Sequence, residues 1–435
     1  LVLIVSLLIL AACGGSEPED EDYIPNELPE ATTPAPNLPT GGARPPAHPD
    51  QMAAIDFEQQ TPWVDMHLEI DNSRTLAAAT GRSFAIDADG TLWAWGFNNA
   101  GQLGDGTDVN VNIPMAVMQN AAAVSASNFS TVAITTEGHM YRWGNTRHNA
   151  SFALLANVAG LYYAPQFVRD GVAWANADRN NYRFITSDGE AFVNTYHFSR
   201  YSRFTSFNNP PPASPYQDGE VTIVIAGGSI IIPYDNPNST HYGARAFAES
   251  RHNSFVIMHD NTLYAWGDDF FDYETNSGGH RLVPMLENIT HISAGQYHVM
   301  ALDTDGRLWT WGSSNAHGQL GDGTNNSNSY PAIVLENVVY ISAGEYHSAA
   351  ITAAGHLYTW GHGGNGRLGH DGEATNAPAR VDLADVVQVA AGPTHTLAIT
   401  ANGDLWAWGD NRQGQLGDGT TTSSPAPIRI MGNMR

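Results

Sequence analysis

Four histidines, His252, His298, His347 and His395, recur at regular spacing, and several imidazoles in one pattern are the raw material of a zinc site. Two Asp-x-Asp-Gly stretches, Asp87–Gly90 and Asp303–Gly306, begin as a calcium loop begins. Gly364-Asn365-Gly366-Arg367-Leu368-Gly369 spells the G-x-G-x-x-G of a dinucleotide loop. None of these survives its context. Histidines at one position of a repeat are carried to different points of the fold, whereas zinc needs its donors about 2.0–2.1 Å from one point. They are expected to hydrogen-bond inside the structure instead. A calcium loop wants Glu at its twelfth position, where this chain has Asn98 and Ser314. The glycine stretch runs into "HDGEATNAPAR", which offers no helix N-terminus for a pyrophosphate. With no G-x-S-x-G elbow and no H-E-x-x-H helix, no catalytic residue, metal or cofactor is expected, and the chain reads as a non-enzyme.

The elements that would position any site come from repetition. A Trp-Gly pair recurs at Trp95, Trp143, Trp266, Trp311, Trp360 and Trp408, with intervals of 48, 123, 45, 49 and 48. The long interval hides a degenerate copy, Asn181 to Asn194, in which Asn194 stands where the tryptophan should be, giving seven copies. Each full copy holds two β-prone runs joined by a Gly-containing turn, as in "ISAGEYHSAAITAAGHLYTWG", which is a hairpin signal. A Pro-led run such as "YPAIVLENV" then supplies an outer strand. Small antiparallel sheets repeated about every 48 residues point to an all-β, seven-bladed propeller over 63–435. The last outer strand has no hairpin after it, and the first hairpin has no outer strand before it. The N- and C-terminal strands are therefore expected to share a blade, which would leave no exposed edge.

Between the copies lies "GQLGDGT", at Gly101–Thr107, Gly318–Thr324 and Gly414–Thr420, with "GRLGHDG" as a near copy. A motif present in every regular copy is read as blade architecture, its glycines supplying positive φ and its Asp and Thr bonding nearby backbone. The pairs Trp93/Trp95, Trp309/Trp311 and Trp406/Trp408 sit two apart on one strand face and read as core rather than sugar platforms.

The alternation of "AGxxH", "LWxWG" and "GQLGDGT" resembles the repeat of the regulator of chromosome condensation family, over about Thr75 to Met431. The resemblance implies a seven-bladed propeller. The founder's chromatin binding is not expected here, because 19 Lys+Arg against 44 Asp+Glu give a net charge of −25 that a phosphate backbone would repel. Its nucleotide exchange on a small GTPase remains an alternative, as does a carbohydrate-binding or carbohydrate-cleaving propeller.

The start of the chain bears on location. "LVLIVSLLIL" suits the apolar region of an export signal without its basic n-region or Met, so the sequence is expected to begin inside a longer leader. Leu10-Ala11-Ala12-Cys13 resembles a bacterial lipobox, and Cys13 is the only cysteine. Residues 1–13 are thus expected to be signal and lipobox, with Cys13 lipidated. Residues 14–62, acidic and interrupted by prolines, are expected to be a disordered tether. The protein is then exported and lipid-anchored at the outer face of a bacterial membrane or cell surface, as a monomer.

The repeat is broken once more by an insertion at about 197–244. It brings Tyr196, Phe198, Arg200, Tyr201, Arg203, Phe204, Phe207 and Tyr216 together. Aromatic and Arg side chains anchor protein interfaces, so these residues are expected to bind a protein partner. Behind them "EVTIVIAGGSIIIPY" reads as an apolar hairpin.

Overall fold

The computed structural model describes residues 74–127, 130–144, 164–178, 181–187, 191–194, 220–225, 228–233, 244–251, 253–258, 260–267, 283–370 and 373–435. Among them the architecture is all-β, with one short 3₁₀ turn at Gly364–Gly366. Sheets are numbered below by the repeat copy that forms them.

Sheet 1 pairs Leu76–Ala79, Arg82–Ile86, Leu92–Gly96 and Val111–Met118 in sequence order. The same order holds in sheet 2 (Ala121–Ala126 to Gln166–Arg169), sheet 4 (Ala244–Glu249 to Val283–Leu286) and sheet 5 (Ile289–Ala294 to Asn328–Leu335). It holds again in sheet 6 (Val338–Ala343 to Thr375–Arg380) and sheet 7 (Val386–Ala391 to Ser424–Met431). The fold is a β-propeller; among the described residues six blades are four-stranded, short of the seven complete blades expected. The degenerate third copy contributes three strands, Val172–Asp178, Asn181–Thr186 and Ala191–Asn194. It lacks the Trp-Gly pair that ends the third strand elsewhere. The apolar hairpin forms as a separate ribbon, Glu220–Ile225 paired with Gly228–Pro233.

The expected sharing of a blade by the chain ends is also corrected. Ser424–Met431 pairs within sheet 7, while Leu76–Ala79 is the inner strand of sheet 1, so every complete blade is built from consecutive strands. The short run at Leu76 that reads as half a hairpin is an inner strand in its own right. Sheets 7 and 1 meet through a backbone bridge between Asp87 and Met434 and through the Ala88 amide, which donates to the Asn433 carbonyl at 2.9 Å.

The core is divided into layers between neighbouring sheets. One layer packs Leu76, Ala85 and Trp95 of sheet 1 against Leu397, Ile399 and Leu405 of sheet 7, and another packs Leu302 and Leu308 of sheet 5 against Ile341 and Trp360 of sheet 6. Apolar burial at about 25 cal/mol per Å² supplies the bulk attraction but has no direction. Register needs something more specific.

A clasp made by the glycine-rich heptapeptide supplies it. The Gln319 carbonyl of copy 5 accepts the Trp360 indole N–H at 3.0 Å and the Ser348 hydroxyl at 2.8 Å, both from copy 6. The Gln102 carbonyl takes Trp143 (2.9 Å) and Thr131 (3.0 Å), and the Arg367 carbonyl takes Trp408 (2.9 Å) and Thr396 (2.8 Å). The Gln415 carbonyl of copy 7 takes Trp95 (2.8 Å) and Ser83 (2.7 Å) of copy 1. That last clasp joins the final blade to the first. The heptapeptide's second glycine lies flat against the same indole: a Cβ on Gly321 or Gly417 would fall 2.5 or 2.7 Å from the Trp360 or Trp95 nitrogen, at φ +75 and +80. Only glycine fits there. The three GQLGDGT loops are each braced from inside by an asparagine, Asn98, Asn315 or Asn411: Asn315 accepts the Leu320 amide at 2.9 Å and donates to Asp322 and to the Thr324 carbonyl.

Candidate interaction face

Successive strands of a blade are antiparallel, so the loops joining strands 1–2 and 3–4 emerge at the same end of the propeller. That end carries the repeat histidines, the heptapeptides and a cluster of aromatic side chains.

The histidines lie beneath this face. His298, His347 and His395 are fully buried, and the Nε2 atom of each meets a hydroxyl of the next blade: Ser348 at 2.9 Å, Thr396 at 2.9 Å and Ser83 at 2.8 Å. Each hydroxyl donates its own hydrogen to the clasp carbonyl, so Nε2 carries the hydrogen and donates. Burial pushes His298 and His395 down to about 4 and His347 well below its ordinary value. The imidazoles are neutral structural donors. The fourth member of the set is not His252, which lies outside the described residues; strand pairing places Asn253 opposite Gly267, as His298 stands opposite Gly312. In sheet 1 the position is held by Arg82, fully buried and pushed down to about 9, with hydrogen bonds to the Thr80 and Ser127 carbonyls.

Other residues singled out by pattern are equally occupied. Trp95, Trp143, Trp311, Trp360 and Trp408 are buried, and Trp266 stands at the matching strand position. The Asp87 carboxylate accepts the Asp89 and Thr91 amides and the Trp93 indole, and Asp303 does the same with Asp305, Arg307 and Trp309. These Asp-x-Asp-Gly stretches are turns whose oxygens are already used. Cys13 and the insertion residues Tyr196, Phe198, Arg200, Tyr201, Arg203, Phe204, Phe207 and Tyr216 lie outside the described residues.

Above the buried histidines runs a row that repeat reading does not mark. Tyr297 and Tyr346 come from the 1–2 loops of copies 5 and 6, with ring centroids 6.0 Å apart. His317 and His362, from 3–4 loops, pack edge-on at 4.4 Å, and His317 meets Tyr346 at 5.5 Å. Arg251 of copy 4 lies 5.5 Å over the Tyr297 ring and donates to its hydroxyl. Arg367 sits beneath the row, 5% exposed, and donates to the Gly364 and Pro393 carbonyls. Burial, then the Arg367 charge, lowers the pKa of both His317 and His362. His362 Nδ1 accepts the Gly364 amide at 3.0 Å, which leaves its hydrogen on Nε2. Burial raises the Tyr346 hydroxyl.

Within this row the two imidazoles touch one another edge to face. Half-buried aromatic rings with an arginine laid across one end are what a protein interface uses for anchoring. Its residues occupy the variable places of an otherwise regular repeat, and departure from the repeat is the one signal by which they stand out in sequence.

Comparison with known proteins gives one consistent answer. The regulator of chromosome condensation (RCC1) repeat matches residues 89–134, 305–351, 354–399 and 402–435, and a second form of that repeat matches 289–319, 338–367 and 386–415. The chain is 27% identical over 307 residues to the mitochondrial RCC1 domain-containing protein RUG3 of Arabidopsis thaliana, covering 63% of this chain and 65% of that one. It is 31% identical over 259 residues to the ultraviolet-B receptor UVR8 of the same plant, covering 56% and 53%. The match thus spans less than two-thirds of either relative. Among solved structures, Prp20p of Saccharomyces cerevisiae, described with its binding to Gsp1p and histones, superposes with a TM-score of 0.59 at 19% identity, covering 84% of this chain and 88% of that one.

Proposed function

The chain is an RCC1-repeat propeller, and from that premise we propose that it works as a non-enzymatic scaffold that binds another protein through the 1–2 and 3–4 loop face of copies 4 to 6. The observation that carries this reading is the row Arg251, Tyr297, Tyr346, His317 and His362, continuous across three blades and joined ring to ring. Prp20p, a propeller of the same repeat, binds the proteins Gsp1p and histones. The net charge of −25 weighs against nucleic acid as the ligand.

The third copy is proposed to complete a ring of seven, its three strands filling the place between sheets 2 and 4. The protein is further proposed to be exported and held by a lipid on Cys13, with the acidic, proline-rich tether lifting the binding face away from the membrane. The insertion aromatics, Phe204 among them, are proposed to extend the contact surface.

Site-specific photo-crosslinking in cells tests the reading. A photoreactive phenylalanine at Tyr346 is expected to capture a discrete protein, while the same probe at Ala354, on the opposite end of the same blade, captures none. Equal labelling at both positions, or none at either, contradicts the scaffold. A third probe at Phe204 asks whether the insertion joins the contact. Cys13→Ser is expected to move the protein from the membrane fraction into the soluble one.

A further inference from the structure

The 3–4 loop of copy 6 is built around one imidazole. His362 follows the third strand, Leu357–Gly361, and its Nδ1 atom accepts the Gly364 amide, two residues on, at 3.0 Å. The ring lies against the backbone that it holds: a Cβ on Gly364 would fall 2.4 Å from His362 Cε1. The Gly364 carbonyl accepts the Arg367 Nε hydrogen at 2.9 Å, and the Gly366 amide closes the Gly364–Gly366 turn on the Gly363 carbonyl at 3.1 Å. Arg367 in turn offers its own carbonyl to Trp408 and Thr396 of copy 7. One histidine lone pair thus joins the exposed loop to the clasp beneath it.

A lone pair engaged with an amide cannot also hold a proton. Once protonated, Nδ1 is a donor facing the Gly364 N–H, and the hydrogen bond becomes a repulsion. The surroundings add to this. His317, from the 3–4 loop of copy 5, packs edge-on with ring centroids 4.4 Å apart, and Tyr346, from the 1–2 loop of copy 6, lies at 6.5 Å. Burial opposes a proton on His362 first, then the charges of Arg367 and His317, with only its own backbone favouring one. Further out, Glu345 and Asp410 act on Arg367, and Arg251 lies over Tyr297 at the far end of the row.

Neutral rings are also what the row is made of. His362 touches His317, and His317 carries the contact on to Tyr346 at 5.5 Å. Lifting the His362 ring off Gly364 withdraws one end of that stack.

We propose that the His362–Gly364 hydrogen bond is an acid-sensitive latch on the interaction face, closed while His362 is neutral and opened when Nδ1 takes a proton, so that a bound protein is released on acidification. The latch rests on the scaffold reading for its partner and on the geometry of its own loop for its mechanism. Its sign follows from linkage. A histidine held below its ordinary 6.5 by the fold is neutral above that pH, so the face is intact there and is lost as the pH falls through the lowered value.

Two readouts on the full chain separate the latch from the partner. In the first, NMR follows glycine amides and histidine ring carbons from pH 7.5 downward. The Gly364 amide is expected to shift with the midpoint of the His362 ring, below pH 6.5, and to stay flat in His362→Asn. Asparagine keeps an oxygen that accepts the amide two residues on, in an Asx turn, and does not titrate. In the second, a lysate containing the chain with the photoreactive probe at Tyr346 is irradiated at pH 7.5 and at pH 5.5, with melting temperatures showing the chain folded at both. The yield of crosslinked protein is expected to fall severalfold in acid, and by less than twofold when His362→Asn is added. A Gly364 amide indifferent to the His362 titration overturns the latch, and so does an acid loss of label that His362→Asn shares. No label at either pH sinks the scaffold reading, while the Gly364 titration still decides the latch.

Discussion

Two arcs of the propeller obey different rules. From copy 5 through copy 7 to copy 2, successive blades are joined by a clasp in which a heptapeptide carbonyl receives an indole N–H and a hydroxyl from the next blade. Around copy 3 the motif is missing from the sequence: Asn194 replaces the tryptophan and no heptapeptide follows. There Trp174 packs 5.9 Å from Phe247; Val172, Ala175 and Phe184 meet Val132 and Ile134; and Ser125 of copy 2 bonds Asn176 and the Ala177 amide. The comparison separates two jobs. Inner-strand hydrogen bonds and apolar packing join copies 2 and 3, whereas the regular arc adds a clasp at the loop end that ties each heptapeptide to its neighbour.

The largest effect expected from breaking the regular arc is at its closing joint. Gly417→Ala forces a Cβ to within 2.7 Å of the Trp95 nitrogen at positive φ and is expected to cost about 3–5 kcal/mol in denaturant unfolding. Gly323→Ala, also at positive φ but with open space around it, is expected to cost only about 1 kcal/mol. If the two cost the same, the indole contact is not what the glycine serves.

Acid should discriminate next. Folded His298 and His395 titrate near 4 against 6.5 when free, so between those values the unfolded chain binds more protons. Stability is full above about pH 6.5 and falls as pH drops toward 4, by on the order of 3 kcal/mol for each of these two buried histidines. His395→Gln, which cannot titrate, is expected to flatten the slope of melting temperature against pH over that window. An unchanged slope would show that these imidazoles do not report the buried network.

A smaller effect is expected at a single clasp hydroxyl. Ser348→Ala strands His298 Nε2, while the Gln319 carbonyl keeps its indole, for a loss of about 1–3 kcal/mol. On the irregular side, amide hydrogens of Asn181–Thr186 are expected to exchange faster than those of His347–Thr352. Equal protection would mean that the clasp adds no local stability.

Much of the regular arc is legible in sequence because each blade repeats the same local instructions: a Gly turn, an alternating apolar run that ends in Trp-Gly and a Pro-containing edge. The heptapeptide can be read as architecture, but not as a carbonyl offered to the neighbour's indole, since its partner lies about forty residues away. Asn253 rather than His252 holds the repeat position, because it stands thirteen residues before Trp266 as His298 stands thirteen before Trp311. The closure was hidden because the first inner strand, Leu76–Ala79, is short and Ala-rich and carries no edge signal. The aromatic row was invisible for a different reason. Tyr297, Tyr346, His317 and His362 belong to separate loops, and only the curvature of the ring brings them together.

The smallest expected change in stability belongs to that row, and it carries the largest expected change in function. Tyr346→Ala removes a half-buried ring above an intact clasp, so the measurement of first importance is the yield of photo-crosslinked partner from the Tyr297 position in Tyr346→Ala compared with the wild-type background, at matched melting temperature. Loss of the crosslinked protein with the fold intact is the result predicted for a scaffold whose loops build the ring on their buried side and bind on their exposed side. Undiminished crosslinking would contradict that division and place the binding surface elsewhere on the propeller.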